Sequence, residues 1–126
     1  MILVDTDVFI WYLRGNEKAY KTIECLESFT ISVVTYMELV QGMRNKEELN
    51  CLRQALYAWN CEILYITEEI SAKAMFAVEQ HFLSHSMQLA DALIGSTAIV
   101  HGLPLLTGND KHYKIMKGLL IKRFQH

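Results

Sequence analysis

The chain of 126 residues has a single proline, Pro104, only six glycines and only three cysteines, and each scarcity removes a class of protein. So little proline and glycine leaves no flexible linker or low-complexity tract, and no stretch is polar enough to read as disordered. Cys25, Cys51 and Cys61 are odd in number and show no CxxC spacing. That argues against a disulfide framework and predicts the reduced cysteines of a cytoplasmic protein. No apolar run approaches membrane-spanning length. The first residues carry no basic stretch, and their apolar run stops at Asp5, so they do not read as a secretory signal. A glycine-rich phosphate loop, a GxSxG elbow and a plausible Cys–His pair are all missing, so no nucleophile constellation competes for the chemistry.

What is present is apolar bulk and unevenly placed charge. Hydrophobic residues make up 52% of the chain, enough for one domain, 1–126, with a core of its own. The net charge is only −2. Residues 108–126 nevertheless hold Lys111, Lys114, Lys117, Lys122 and Arg123 against Asp110 alone, a net +4, which leaves −6 on residues 1–107. A basic tail on an acidic body suits a polyanion lying across a metal site, although ordinary solubilisation of a helix and tail accounts for the same charges.

Runs rich in β-branched or aromatic residues predict strands at 2–5, 29–34, 62–66, 104–106 and 119–121. Helical spacing fills 16–27, 35–58, 68–84 and 87–101, with 35–58 expected to break in two near Gly42–Asn45. Nearly continuous apolar strands alternating with helices predict an α/β sandwich around a parallel sheet. The helix at 87–101 is bounded by Ser86 as N-cap candidate, Gly102 just past its end and Pro104 beyond. Its small residues Ala92, Gly95, Ser96 and Ala98 allow close approach to the sheet. His81 and His85 are spaced i, i+4 but lack the glutamate of a zinc-binding HExxH, so they read as a solvent-facing helix end. Met37, Met43, Met75 and Met87 read as core filler or partner contacts, and Trp11 and Trp59 as packing.

The acids fall in a pattern within that layout. In an open α/β sheet, ligands collect at the carboxyl ends of the strands. Asp5 ends the first strand, Glu38 is expected in the first turn of the helix after 29–34, Asp91 in the second turn of 87–101, and Asp110 just after 104–106. All four are thereby brought to one edge of the sheet. As bare charges such a cluster repels itself, and a hard divalent cation resolves it. Phosphoryl-transfer chemistry is the natural use of that set. Each acid also has a purely structural alternative, weakest for Asp5 and Asp91. Asp7 suits a helix N-terminus, Glu38 stands at capping-box spacing from Thr35 with Val34 and Leu39 as a staple, and Asp110 follows Asn109 at a helix start.

Four stretches, VDTDVFI at 4–10, ISVVTYMELVQG at 31–42, LADALIGSTA at 89–98 and LLTGNDKHY at 105–113, together resemble a PIN domain, and most closely a VapC-type toxin ribonuclease. The resemblance spans the chain. It implies a PIN-like three-layer α/β sandwich with a central, mostly parallel sheet of about five strands flanked by helices. It also implies a Mg²⁺- or Mn²⁺-dependent endoribonuclease that cuts single-stranded RNA to 5′-phosphate and 3′-hydroxyl ends. The metal would be held by Asp5 and Asp91, aided by Glu38 and a fourth acid, with Thr6 and Thr107 in support. A small cognate antitoxin protein and a homodimer are the implied partners. Asp7 departs from the pattern, standing where many members carry Asn or Ser, either as a helix-start residue or as a supplementary acid. For the fourth acid, Asp110 is favoured over Asn109 and His112, which occupy neighbouring positions of the motif.

Two other assignments bear on the same residues. The opening resembles the DxDx[TV] signature of haloacid dehalogenase-like phosphatases, with LLTG at 105–108 echoing their second motif and Asp5 as nucleophile. Phe9 stands where Thr or Val is wanted, the nineteen residues after Thr107 hold a single acid, and Glu38 and Asp91 would be idle. The second alternative is a catalytically degenerate PIN-like binding module.

Overall fold

A computed structural model describes residues 1–83 and 87–126. Five parallel strands, β1 (Leu3–Val4), β2 (Thr30–Ser32), β3 (Glu62–Leu64), β4 (Leu105–Thr107) and β5 (Ile121–Arg123), pair in the order β3-β2-β1-β4-β5. Between them run α1 (Thr6–Leu13), α2 (Glu17–Glu24), α3 (Val33–Gln41), α4 (Lys46–Ala58), α5 (Glu68–His81), α6 (Leu89–His101) and α7 (Asp110–Tyr113). This is the expected helix-flanked α/β sheet.

The pleat of the strands divides the core in two. Ile2 just before β1, Val4 on it, Ile31 on β2 and Leu106 on β4 face one layer, where Val8, Phe9, Ile23, Phe29, Leu52 and Leu56 bury them. Leu3 and Leu105 point the other way, onto Ile94 and Ala98 of α6, with Tyr113 and Met116 beside them. Trp59 packs its indole against Phe9, Phe29 and Tyr12. Of the methionines, Met37 and Met75 are exposed rather than core filler. No helix among the described residues is long and apolar enough to cross a membrane.

Helix ends follow local chemistry. The break expected near 42–45 is real: α3 stops at Gln41, and Asn45 caps α4 by accepting from the Glu48 amide at 2.9 Å. Asn16 and Thr67 cap α2 and α5 in the same way. Several expected boundaries move. Val33 and Val34 leave the strand for α3 because Ser32 caps that helix through the Val34 amide, so Glu38 lies in the second turn and Thr35 is no cap. The capping-box assignment of Glu38 therefore fails. The helix expected at 87–101 starts at Leu89 with Gln88 in the cap position, which puts Asp91 in the first turn; the Ser86 cap and His85 lie outside the described residues. The last strand sits two residues later than its apolar run, because the backbone of Leu120 and of residues 121–123 supplies the pairing to β4.

Gly102 ends α6 in the left-handed conformation at φ 64°, whereas Gly42 ends α3 at φ −82°. A Cβ at 42 meets only ordinary contacts, the nearest at 3.5 Å. Gly102→Ala should therefore lower the urea midpoint, at a cost of about 1 kcal/mol and with an unchanged slope, while Gly42→Ala leaves it unchanged or raises it.

Candidate metal centre

The strand order reverses direction between β1 and β4, the place where a parallel sheet opens a crevice at its carboxyl edge. Asp5 stands at the end of β1 and Thr107 at the end of β4, one on each side of that crevice. Asp5 is only 4% exposed. Its Oδ1 accepts from the Thr6 amide at 2.8 Å, making it the N-cap of α1, and its Oδ2 accepts from the Thr107 hydroxyl at 2.7 Å. Thr107 Oγ1 in turn accepts from the Asn109 amide at 2.9 Å.

Asp7, in the first turn of α1, reaches across the crevice, and its Oδ2 accepts from the Gly108 amide at 2.8 Å. A Cβ on Gly108 would sit 2.7 Å from that oxygen, so glycine is what lets the loop approach. Asp91 projects from the first turn of α6. Its Oδ1 accepts from the buried Tyr113 hydroxyl at 3.3 Å, and His112 Nδ1 lies 3.2 Å from its Oδ2 without the alignment of a hydrogen bond. Glu38 is exposed at the rim, where Thr6 Oγ1 donates to its Oε1 at 2.7 Å and also lies 2.9 Å from Thr35 Oγ1. Asp110 is engaged elsewhere, by Lys114 at 3.5 Å and Arg123 at 3.8 Å. Asn109 holds the N-cap position of α7 with its side chain making no cap hydrogen bond.

The electrostatics are those of negative charge held with no lysine or arginine beside it. Burial, then the charge of Asp7, raises the Asp5 carboxyl to about 7 against the pull of its hydrogen bonds from Thr107, Thr6 and Tyr113. Asp7 is raised as well, first by burial and further by the charge of Asp91, while the Gly108 amide opposes the rise. Among the described residues no lysine or arginine pairs with Asp5, Asp7 or Asp91. Asp7 Oδ1 and Asp91 Oδ2 are buried with no hydrogen-bond partner. As placed, no three histidine, cysteine, aspartate or glutamate side chains among the described residues converge tightly enough to chelate one ion. The unfilled carboxylate oxygens and the mutual repulsion are nonetheless the deficit that a hard divalent cation fills, and the all-oxygen donor set suits Mg²⁺ or Mn²⁺.

Sequence reasoning passed over Tyr113 and Gly108. A buried tyrosine looks like any core aromatic in a sequence, and Gly108 contributes only a backbone amide. The cysteines carry nothing toward this site: all three are free thiols, and burial pushes Cys61 up to about 12.

Residues 2–118 match the family model of the PIN domain. Ribonuclease VapC10 of Mycobacterium tuberculosis is 36% identical over 123 residues, spanning 94% of this chain and 90% of that protein. Ribonuclease VapC1 of Methanocaldococcus jannaschii is 31% identical over 126 residues, 96% of this chain and 85% of that protein. Among solved structures, a chain of a toxin–antitoxin complex from Klebsiella pneumoniae superposes with a TM-score of 0.79 at 26% identity, covering 95% of this chain and 96% of that one. By sequence and by fold, then, the chain belongs to the PIN-domain family, and these relatives within it are ribonucleases of the VapC type.

Proposed function

We propose that this protein is a divalent-metal-dependent endoribonuclease, the toxin of a toxin–antitoxin pair, acting on single-stranded RNA. The observation that carries this is the set Asp5, Asp7 and Asp91 at the carboxyl edge of the sheet, hydrogen-bonded by neutral amides and hydroxyls, paired with no lysine or arginine among the described residues, and with Asp7 Oδ1 and Asp91 Oδ2 buried without a hydrogen-bond partner. The names of the VapC relatives and of the toxin–antitoxin complex support the ribonuclease and the antitoxin partner. The match to the PIN domain over residues 2–118 favours this reading over the phosphatase resemblance.

Asp5 and Asp91 would hold Mg²⁺ or Mn²⁺, with Asp7 and Glu38 adding negative charge beside them. Bound there, the cation supplies Lewis acidity, which acidifies water and neutralises charge developing on the phosphodiester. The chain's own contribution is orientation. Thr6 and Thr107 fix the two oxygens of Asp5, Gly108 fixes Asp7, and the Thr6 hydroxyl holds Glu38 at the rim. Asp110 stands as the fourth acid of the family pattern, and its ion pairs bring Lys114 and Arg123 to the side where an RNA phosphate would lie. Arg123 on β5 pairs in register with Thr107 on β4, two strands over from Asp5. Phosphate contacts from this basic segment position the RNA without reading its sequence.

Cleavage of a mixed single-stranded RNA pool tests this directly. The wild type is expected to cut with Mg²⁺ or Mn²⁺ and to stop in EDTA, and Asp5→Asn and Asp91→Asn should each abolish cutting in a folded protein. Full activity in both variants would show that these acids are not the site; absence of both metal binding and cleavage in the wild type would favour a degenerate binding module.

The raised Asp5 group gives a second expectation. Between 3.8 and about 7 the folded protein keeps a proton on Asp5 that the unfolded chain has lost, so stability is present at low pH and falls as pH climbs through that window. In EDTA, the melting temperature should drop between pH 5 and pH 8 in the wild type and drop less in Asp5→Asn. Mg²⁺ at pH 8 should recover the loss only in the wild type.

A third expectation concerns the basic segment. Arg123→Gln and Lys114→Gln should each weaken RNA binding and lower the steepness of its salt dependence by about 0.7, with Mn²⁺ affinity unchanged.

A further inference from the structure

Tyr113 is fully buried, yet it carries a hydroxyl for which apolar packing has no use. That hydroxyl donates to Asp91 Oδ1 at 3.3 Å, the one hydrogen bond to the Asp91 carboxylate among the described residues, and it lies close enough to Asp5 for the charge of that carboxyl to act on the phenol. Its ring shares a core cluster with Leu3, two residues before Asp5, while its hydroxyl holds Asp91 of α6, so it stands beside carboxylates that come from different parts of the chain. The ring cannot drift away. It belongs to the cluster of Leu3, Ile94, Ala98, Leu105 and Met116, and a Cβ on Gly95 would come within 3.4 Å of its Cδ1 while colliding with the Met116 sulfur. Burial and the charges of Asp5 and Asp91 push the phenol far above its ordinary value, so it remains a neutral donor.

We propose that Tyr113 is a positioning residue for the acid pair, its hydroxyl fixing Asp91 relative to Asp5 so that both face one divalent cation. This rests on the metal-dependent function proposed above. The chemistry favours a neutral donor at that point. A lysine or arginine would neutralise the carboxylates and compete with the cation, whereas a phenylalanine would fill the same volume and leave Asp91 Oδ1 without its hydrogen bond. Donors of this kind orient ligands and tune their affinity without touching the ion.

The test uses the full chain as wild type, Tyr113→Phe and Asp5→Asn, with Mn²⁺ binding followed by electron paramagnetic resonance in the absence of RNA. Cleavage is measured separately as kcat and KM, and melting temperature in EDTA. Tyr113→Phe is expected to weaken Mn²⁺ binding about tenfold or more and to lower kcat, with KM for RNA nearly unchanged. Wild-type Mn²⁺ affinity in Tyr113→Phe overturns the positioning role, even if the melting temperature falls, because packing alone explains that result. Wild-type protein that binds no Mn²⁺ overturns the metal-dependent function itself and the role of Tyr113 with it. Should Tyr113→Phe fail to fold, Mg²⁺ titration of wild-type protein labelled at its tyrosine rings decides the matter: the Tyr113 resonance is expected to shift as Mg²⁺ binds, and an unmoved resonance overturns the role.

Discussion

Asp5 accepts one hydrogen bond from the first amide of α1 and another from the Thr107 hydroxyl at the end of β4. Those two contacts join the opening of the chain to its last third at the point where the sheet reverses its winding. A strand of two residues cannot hold a parallel sheet by its ladder alone, and β1 is that strand, sitting centrally between β2 and β4. Its position is reinforced from both ends. Leu3 and Val4 are fully buried on opposite faces, and Asp5 locks the exit of the strand to both neighbouring elements. The residue that anchors the fold is also one of the two acids proposed as ligands of the cation.

That coincidence has an energetic side. A buried carboxylate is tolerated when its oxygens are hydrogen-bonded, and every donor around Asp5, Asp7 and Asp91 other than His112 is neutral: amides, threonine hydroxyls and a phenol. Neutral donors hold the acids in place without cancelling their charge. The nearby lysine and arginine side chains go instead to Asp110, farther along the edge. Charge is segregated, with an unneutralised pole beside a basic rim, and self-repulsion in the folded state is the cost of keeping the pole receptive.

Much of this was legible in sequence, for identifiable reasons. Hydrophobic runs too continuous for a half-exposed sheet gave the parallel arrangement, Asn45 marked the break after α3, and Gly102 marked the end of α6. Asp5 and Asp91 stood out because neither lies where an acid is cheap. Less legible were the exact ends. Ser32 outcompeted Thr35 as a cap, moving Glu38 one turn deeper, and α6 began at Leu89, moving Asp91 one turn nearer the N-terminus. Short strands blurred too, since Val33 and Val34 have strand propensity but take helical positions once Ser32 caps them. The partners of the acids were hidden altogether. No periodicity signals that the Gly108 amide meets Asp7 or that the Tyr113 hydroxyl meets Asp91, because both contacts arise only when distant segments converge.

Gly95 lies one helical turn along α6 from Asp91, and the space its missing side chain leaves is taken by Met116 and Tyr113. Helix α6 and the segment after β4 are therefore seated on each other almost backbone to side chain, as one bank of a seam whose other bank is β1 with α1. Asp91 stands on the first bank, Asp5 and Asp7 on the second. Any ligand gripping both banks acts as a clasp between the first residues of the chain and its C-terminal third. Occupancy of the pole and resistance of the chain ends to fraying are then a single linked equilibrium.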